Sequence, residues 1–128
     1  MEIVRAGIDA WNRRDVSAAV EFLHEDAELI PMRAVFEGTV YRGPDGFKDL
    51  LTDMSEDWDD FSLEADEVRD IDDTRVLVLG RILGRGKASG TEIEAPAAWV
   101  CDFRDRKVAK VQFYAHEDAA RDDLGLDT

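Results

Sequence analysis

Few side chains in this chain could do chemistry, and two of them sit where its last apolar run ends. In "KVQFYAHEDAA", residues 110–120, Tyr114 and His116 lie beside several acids, the raw material of an acid–base site. Strand alternation separates them from the interior. Val111, Phe113 and Ala115 share one face, and Gln112, Tyr114 and His116 share the other. The apolar set is expected to look inward, which makes His116 a helix-start or outer-surface residue. Arg81 raises a second question, because it interrupts "VLVLGRIL", where burial should be high. A buried guanidinium must be paired. Either it faces a ligand, binding a carboxylate or enolate or polarising a carbonyl, or it lies on the outer face bonded to an acid such as Glu94 across the hairpin. Arg33 and Glu37, in the loop after the first short strand, fall where a pocket rim would form. His24 in "LHED" reads as a solvated turn.

Several chemistries lack their tools. "GRGKASG" matches no phosphate-binding glycine loop, and no helix follows it. The two histidines are far apart and the single cysteine, Cys101, has no partner, so neither a metal site nor a disulfide is expected. No serine has a nucleophile-elbow setting. No cofactor is expected either. The net charge of −14 disfavours nucleic acid and anionic membrane surfaces, both of which need cationic footprints. No apolar run approaches the roughly 18 residues that span a bilayer, and the first residues do not read as a signal peptide. A cytoplasmic location is the expectation. Abundant aspartate and scarce lysine fit either simple solubility or adaptation to high salt.

The elements that must position these residues read as one domain over 1–128, of the α+β class. Val4, Ile8 and Trp11 form one helical stripe, and Asp15 can cap a second helix carrying Val16, Ala19, Val20 and Leu23. "AELIP" is a brief strand closed by Pro31. Gly43-Pro44 starts a third helix with Phe47, Leu50, Leu51, Met54 and Trp58 on one stripe. The second half changes period into four strands: "FSLEADEVRDI", "TRVLVLGRIL", "TEIEAPAAWVCDF" and "VAKVQFYA", with Pro96 marking a bulge or an edge. On the third of these, Ala95, Ala97, Trp99 and Cys101 should face inward, with Glu94 and Asp102 outward.

The segments "AWNRRDVSAAVEFLHEDAELI", "YRGPDGFKDLL" and "SGTEIEAPAAWVCDFRDRKVAKVQFYAHEDAARDDLGL", in that order, resemble the SnoaL-like branch of the nuclear transport factor 2-like superfamily. The resemblance implies a cone-shaped α+β barrel: a strongly curved mixed or antiparallel sheet wrapped around N-terminal helices, with a pocket at the open end. It also implies a homodimer through the outer sheet face. Relatives include polyketide cyclases, ketosteroid isomerases, dehydratases and epoxide hydrolases, beside many binding modules. The isomerases' tyrosine, aspartate base and protonated acid fall in register at Gly7, Pro31 and Trp99, none of which carries such a proton. The cyclases' acid on the last strand falls at Phe113 or Ala115.

These departures leave the catalytic residues unknown and whether the protein is an enzyme open. The expected function is binding of a small hydrophobic molecule by Trp11, Tyr41, Trp58, Arg81, Trp99 and Phe113. Cofactor-free isomerase, cyclase or dehydratase chemistry on a carbonyl compound would use Arg81 or Tyr41 at the mouth. The alternative is a non-catalytic binding or dimerisation module.

Overall fold

The computed structural model of the protein describes residues 2–31 and 40–125. Arg33 and Glu37 lie outside them, as do the side chains of Ala19 and Val20. Helix α1 (Glu2–Arg13) buries Val4 and Trp11 on the expected stripe. Arg14 closes it in the left-handed region, at φ 58°. Asp15 then caps α2 (Val16–Phe22), accepting from the Ala18 N–H at 3.2 Å and the Ser17 hydroxyl at 2.9 Å. Such a cap satisfies an amide that the first helical turn leaves unpaired.

Strand β1 (Leu23–Ile30) begins four residues before the expected "AELIP". Leu23 is therefore a strand residue, opposite Val108 in the last strand, and His24 belongs to β1 and not to a turn. Long-range pairing overrides the local helical pattern here. A two-residue strand, β2 (Tyr41–Arg42), pairs with β1 and leads into α3 (Gly43–Asp57), with Pro44 in its first turn. Helix α3 buries Phe47, Leu50 and Leu51 and ends one residue before Trp58. Trp58 is extended, at φ −127°, and opens β3 (Trp58–Asp70), so it leaves the stripe it was expected to complete.

Strands β4 (Arg75–Gly86), β5 (Glu92–Arg104) and β6 (Lys107–Tyr114) complete the antiparallel meander with β3. Asp105 and Arg106 turn β5 into β6 with both φ values positive, 54° and 66°, the twist a two-residue hairpin demands. The sheet order is β2-β1-β6-β5-β4-β3, and β1 runs parallel to β6, so the sheet is mixed and does not close. Pro96 lies past Tyr114, the last β6 residue paired to β5, where β5 has only β4 beside it among the described strands. Its missing N–H therefore costs no ladder bond on that side.

Gly80 marks where the sheet bends. It faces the β3 bulge between Ala65 and Glu67, and a Cβ there would stand 1.9 Å from the Glu64 carbonyl oxygen. Bulges and close backbone contacts of this type bend a strand pair. The helices pack on the inner face, where Trp11, Phe47, Leu50, Val76, Val78 and Trp99 join the main core. A smaller core lies on the outer face, where Ala120 of α4 (Glu117–Leu124) packs with Leu77, Ala98 and Val100.

Candidate functional site

The main core encloses a chain of apolar hollows between α1, α3 and the sheet. The innermost has a volume of about 70 Å³ and is walled by Ile8, Trp11, Phe22, Leu63, Trp99, Cys101 and Phe113, among others. A second, of about 240 Å³, shares Trp11, Leu50, Leu63 and Phe113 with it and adds Met54, Trp58, Phe61 and Ile82. A third, of about 380 Å³, shares Met54, Trp58, Phe61 and Ile82 with the second and extends to Ile93, Ala95, Pro96 and Ala115. All three tryptophans of the chain therefore line this series.

Rings fix its shape. Trp11 meets Phe47 edge-on with centroids 5.8 Å apart and Phe61 at 5.7 Å, and Trp99 tilts against Phe113 at 5.7 Å. These contacts make Trp11 and Trp99 rigid walls. Trp58 lies across Gly84 of β4, where a Cβ would stand 3.0 Å from its Cε3. That missing Cβ gives its ring room at the border of the second and third hollows.

The lining is nearly without polar groups. Among the described residues its polar side-chain groups are one thiol, Cys101, one hydroxyl, Ser62, and the indole N–H groups of the three tryptophans. Burial, reinforced by the neighbouring Asp102 charge, pushes the Cys101 thiol up to about 12. A neutral, weakly polar thiol results. Gly7 and Trp99 line the inner hollow, Pro31 the second and Ala115 the third. The positions at which the resemblance would put the isomerases' and cyclases' acid–base groups thus line the hollows with side chains that do not titrate.

The expected ligand residues divide. Trp11, Trp58, Trp99 and Phe113 line the hollows; Tyr41 and Arg81 do not. Tyr41 is buried, with its hydroxyl donating to the Asp53 carboxylate of α3. Arg81 is corrected to the opposite face of the sheet: it donates to Glu94 and Glu64, and to Asp66 at 3.3 Å. Parity explains this. Val76 and Val78 point to the main core, so Leu77, Leu79 and Arg81 point away. What looked like a charge inside an apolar run is a cation held by three surface acids.

At the corner of residues 114–117 the Tyr114 and His116 side chains both bond to α4. His116 is the N-cap of α4, its Nδ1 accepting from the Ala119 N–H at 3.2 Å. Tyr114, on the outer face, donates to Asp123 of the same helix. His24 accepts from the Asp26 N–H at 3.1 Å, with Arg104 nearby at 3.2 Å. The lining residues absent from the sequence reading include Phe61, Leu63 and Ile82. Their signal was available as strand parity, since Ile82 shares a face with Val76 and Val78.

The chain matches the family model for the SnoaL-like domain over residues 4–111. The protein belongs to that family. Among curated proteins none matches. Solved structures extend the likeness at the level of fold. One is a hypothetical protein with a ketosteroid isomerase-like fold from Catenulispora acidiphila, in complex with trimethylamine. It is 17% identical, with 98% of this chain and 94% of that one covered and a TM-score of 0.78. Another is TerC co-crystallised with polyporic acid, 20% identical over 96% and 95% of the two chains, TM-score 0.78. A third is named a polyketide cyclase of Xanthomonas campestris on provisional grounds, 22% identical over 88% and 87%, TM-score 0.70. The architecture is thus the nuclear transport factor 2-like cone, with an unclosed six-stranded mixed sheet. No helix of the described residues is long and apolar enough to cross a membrane.

Proposed function

We propose that this protein is a cytoplasmic domain that binds a small hydrophobic molecule in the linked cavities under α1 and α3. The observation that carries the reading is a hollow walled by three tryptophans and Phe113, with no ionisable group but the Cys101 thiol among its described lining residues. Mostly apolar concave sites of this size bury a ligand through area and shape. The same lining favours binding over turnover, because acid–base catalysis needs a group within hydrogen-bond reach of the moving proton. Neighbours named as polyketide cyclases keep carbonyl chemistry as the second reading. Homodimerisation through the outer sheet face belongs to the proposal for the part of that face not covered by α4.

The test uses the tryptophans as reporters. Titration with small aromatic hydrocarbons and ketones should shift their emission saturably and raise the melting temperature by mass action. Leu63→Trp, which fills the wall shared by the first two hollows, should abolish the response while the protein remains folded. Absence of saturable change with every compound would overturn the reading. Turnover of a bound ketone, followed by exchange of its α-protons, would favour the catalytic reading instead.

A further inference from the structure

The charge around the cavity narrows the occupant, given the binding reading above. Glu56, Asp57, Asp59 and Asp60 bracket Trp58 in the chain, and all four are exposed. Asp60 lies 4.0 Å from the Arg14 guanidinium, and Glu92 and Glu94 share the outer face of the sheet with Arg81, across the strands from the cavity. The cations of this region are engaged. Arg14 donates to the Phe61 carbonyl at 2.7 Å and lies 3.7 Å over that ring. Lys87 donates to the Ser55 carbonyl at 3.0 Å. Arg85 lies opposite Asp60 and Glu92 in the strand register, on the outer face with Arg81.

A ligand tail inside the hollow therefore meets nearly apolar walls, and its head, left at the third hollow, meets the Trp58 indole, which four exposed carboxylates flank in the chain. We infer that the occupant is a hydrophobic amine, bound tail inward with its protonated nitrogen beside Trp58. Three effects act in the same direction. The indole face attracts a cation through its quadrupole, most strongly where water is thinned. The acids around Trp58 add a favourable field at the mouth, and the net charge of −14 steers cations toward the protein. A carboxylate head gains none of these and meets no free guanidinium among the described lining residues.

The experiment compares octyltrimethylammonium, 1-octanol and octanoate, which share a tail and differ in head charge, all below their micellar concentrations. Tryptophan emission and calorimetry read their affinities at low ionic strength. The ammonium should bind about tenfold more tightly than octanoate, with octanol between them. Added salt should narrow that gap, because the rim acids are screened over about 10 Å at 0.1 M. Trp58→Leu should weaken the ammonium far more than octanol and so lose the preference between them. The exposed pair Asp59→Asn and Asp60→Asn should reduce the preference in a protein that still melts cooperatively, which serves if Trp58→Leu fails to fold. Octanol binding together with octanoate equal to or tighter than the ammonium overturns the amine inference and leaves the pocket reading standing. Binding of none of the three overturns both.

Discussion

The Cys101 thiol looks into the inner hollow, and its raised pKa has two consequences. The folded value, about 12, lies above the unfolded one of about 8.5. The stability gained by keeping the thiol neutral is full below the unfolded value and is lost as pH rises toward the folded one. The parent should therefore lose stability relative to Cys101→Ala on the alkaline side only, as denaturant melts across that window will show. Iodoacetamide near neutral pH should label Cys101 only once denaturant unfolds the chain. His116 makes a different prediction. His116→Ala should cost about 1 kcal/mol through the lost cap, and His116→Asn should restore most of it, with ligand binding unchanged. At this scale the sequence was legible wherever alternation decided: Phe113, Trp99 and Tyr114 follow from parity. Arg81 could be read either way, because its three partners, Glu64, Asp66 and Glu94, come from strands whose register no local pattern reveals.

Edge strand β3 shows what helix periodicity conceals. Its outer side has no strand beside it among those described, and α1 supplies the missing partner. The Asn12 side chain donates to the Leu63 carbonyl at 2.9 Å and accepts from the Leu63 N–H at 2.8 Å, like one rung of a ladder. Arg14 adds its bond to Phe61 one residue pair away. Sealing an edge in this way removes a template for aggregation and anchors the wall that carries Phe61 and Leu63. Asn12→Ala should lower stability by about 2 kcal/mol, since two part-buried backbone groups lose their partner. Gly80→Ala should be worse, about 3 kcal/mol by equilibrium urea denaturation, because its Cβ meets backbone that cannot step aside. Neither residue has a role assigned from the sequence: Asn12 stands at a helix end and Gly80 within an apolar run. Both acquire their meaning from β3, which no local window contains. The third helix stripe read correctly through Met54 and failed at Trp58 for the same reason, since pairing with Gly86 decides that residue's conformation.

For the whole molecule, thirty acids against sixteen lysines and arginines leave a strong like-charge surface. Screening that repulsion should raise the melting temperature as sodium chloride increases from low ionic strength, measured by calorimetry; a temperature indifferent to salt would place the acids too far apart to interact. Fold class was readable from the order of helices and strands, whereas the parallel contact between β1 and β6 was not, because it joins segments some eighty residues apart and leaves no periodic trace. That contact also governs assembly. β6 lies between β1 and β5, so a strand made after both must slot between them. The part of the sheet that carries β1 and β2 has no further strand to join until then, and loop-closure entropy makes such distant joining slow. The nascent chain should stay sensitive to protease until β6 emerges, and gain resistance in a single step once it has.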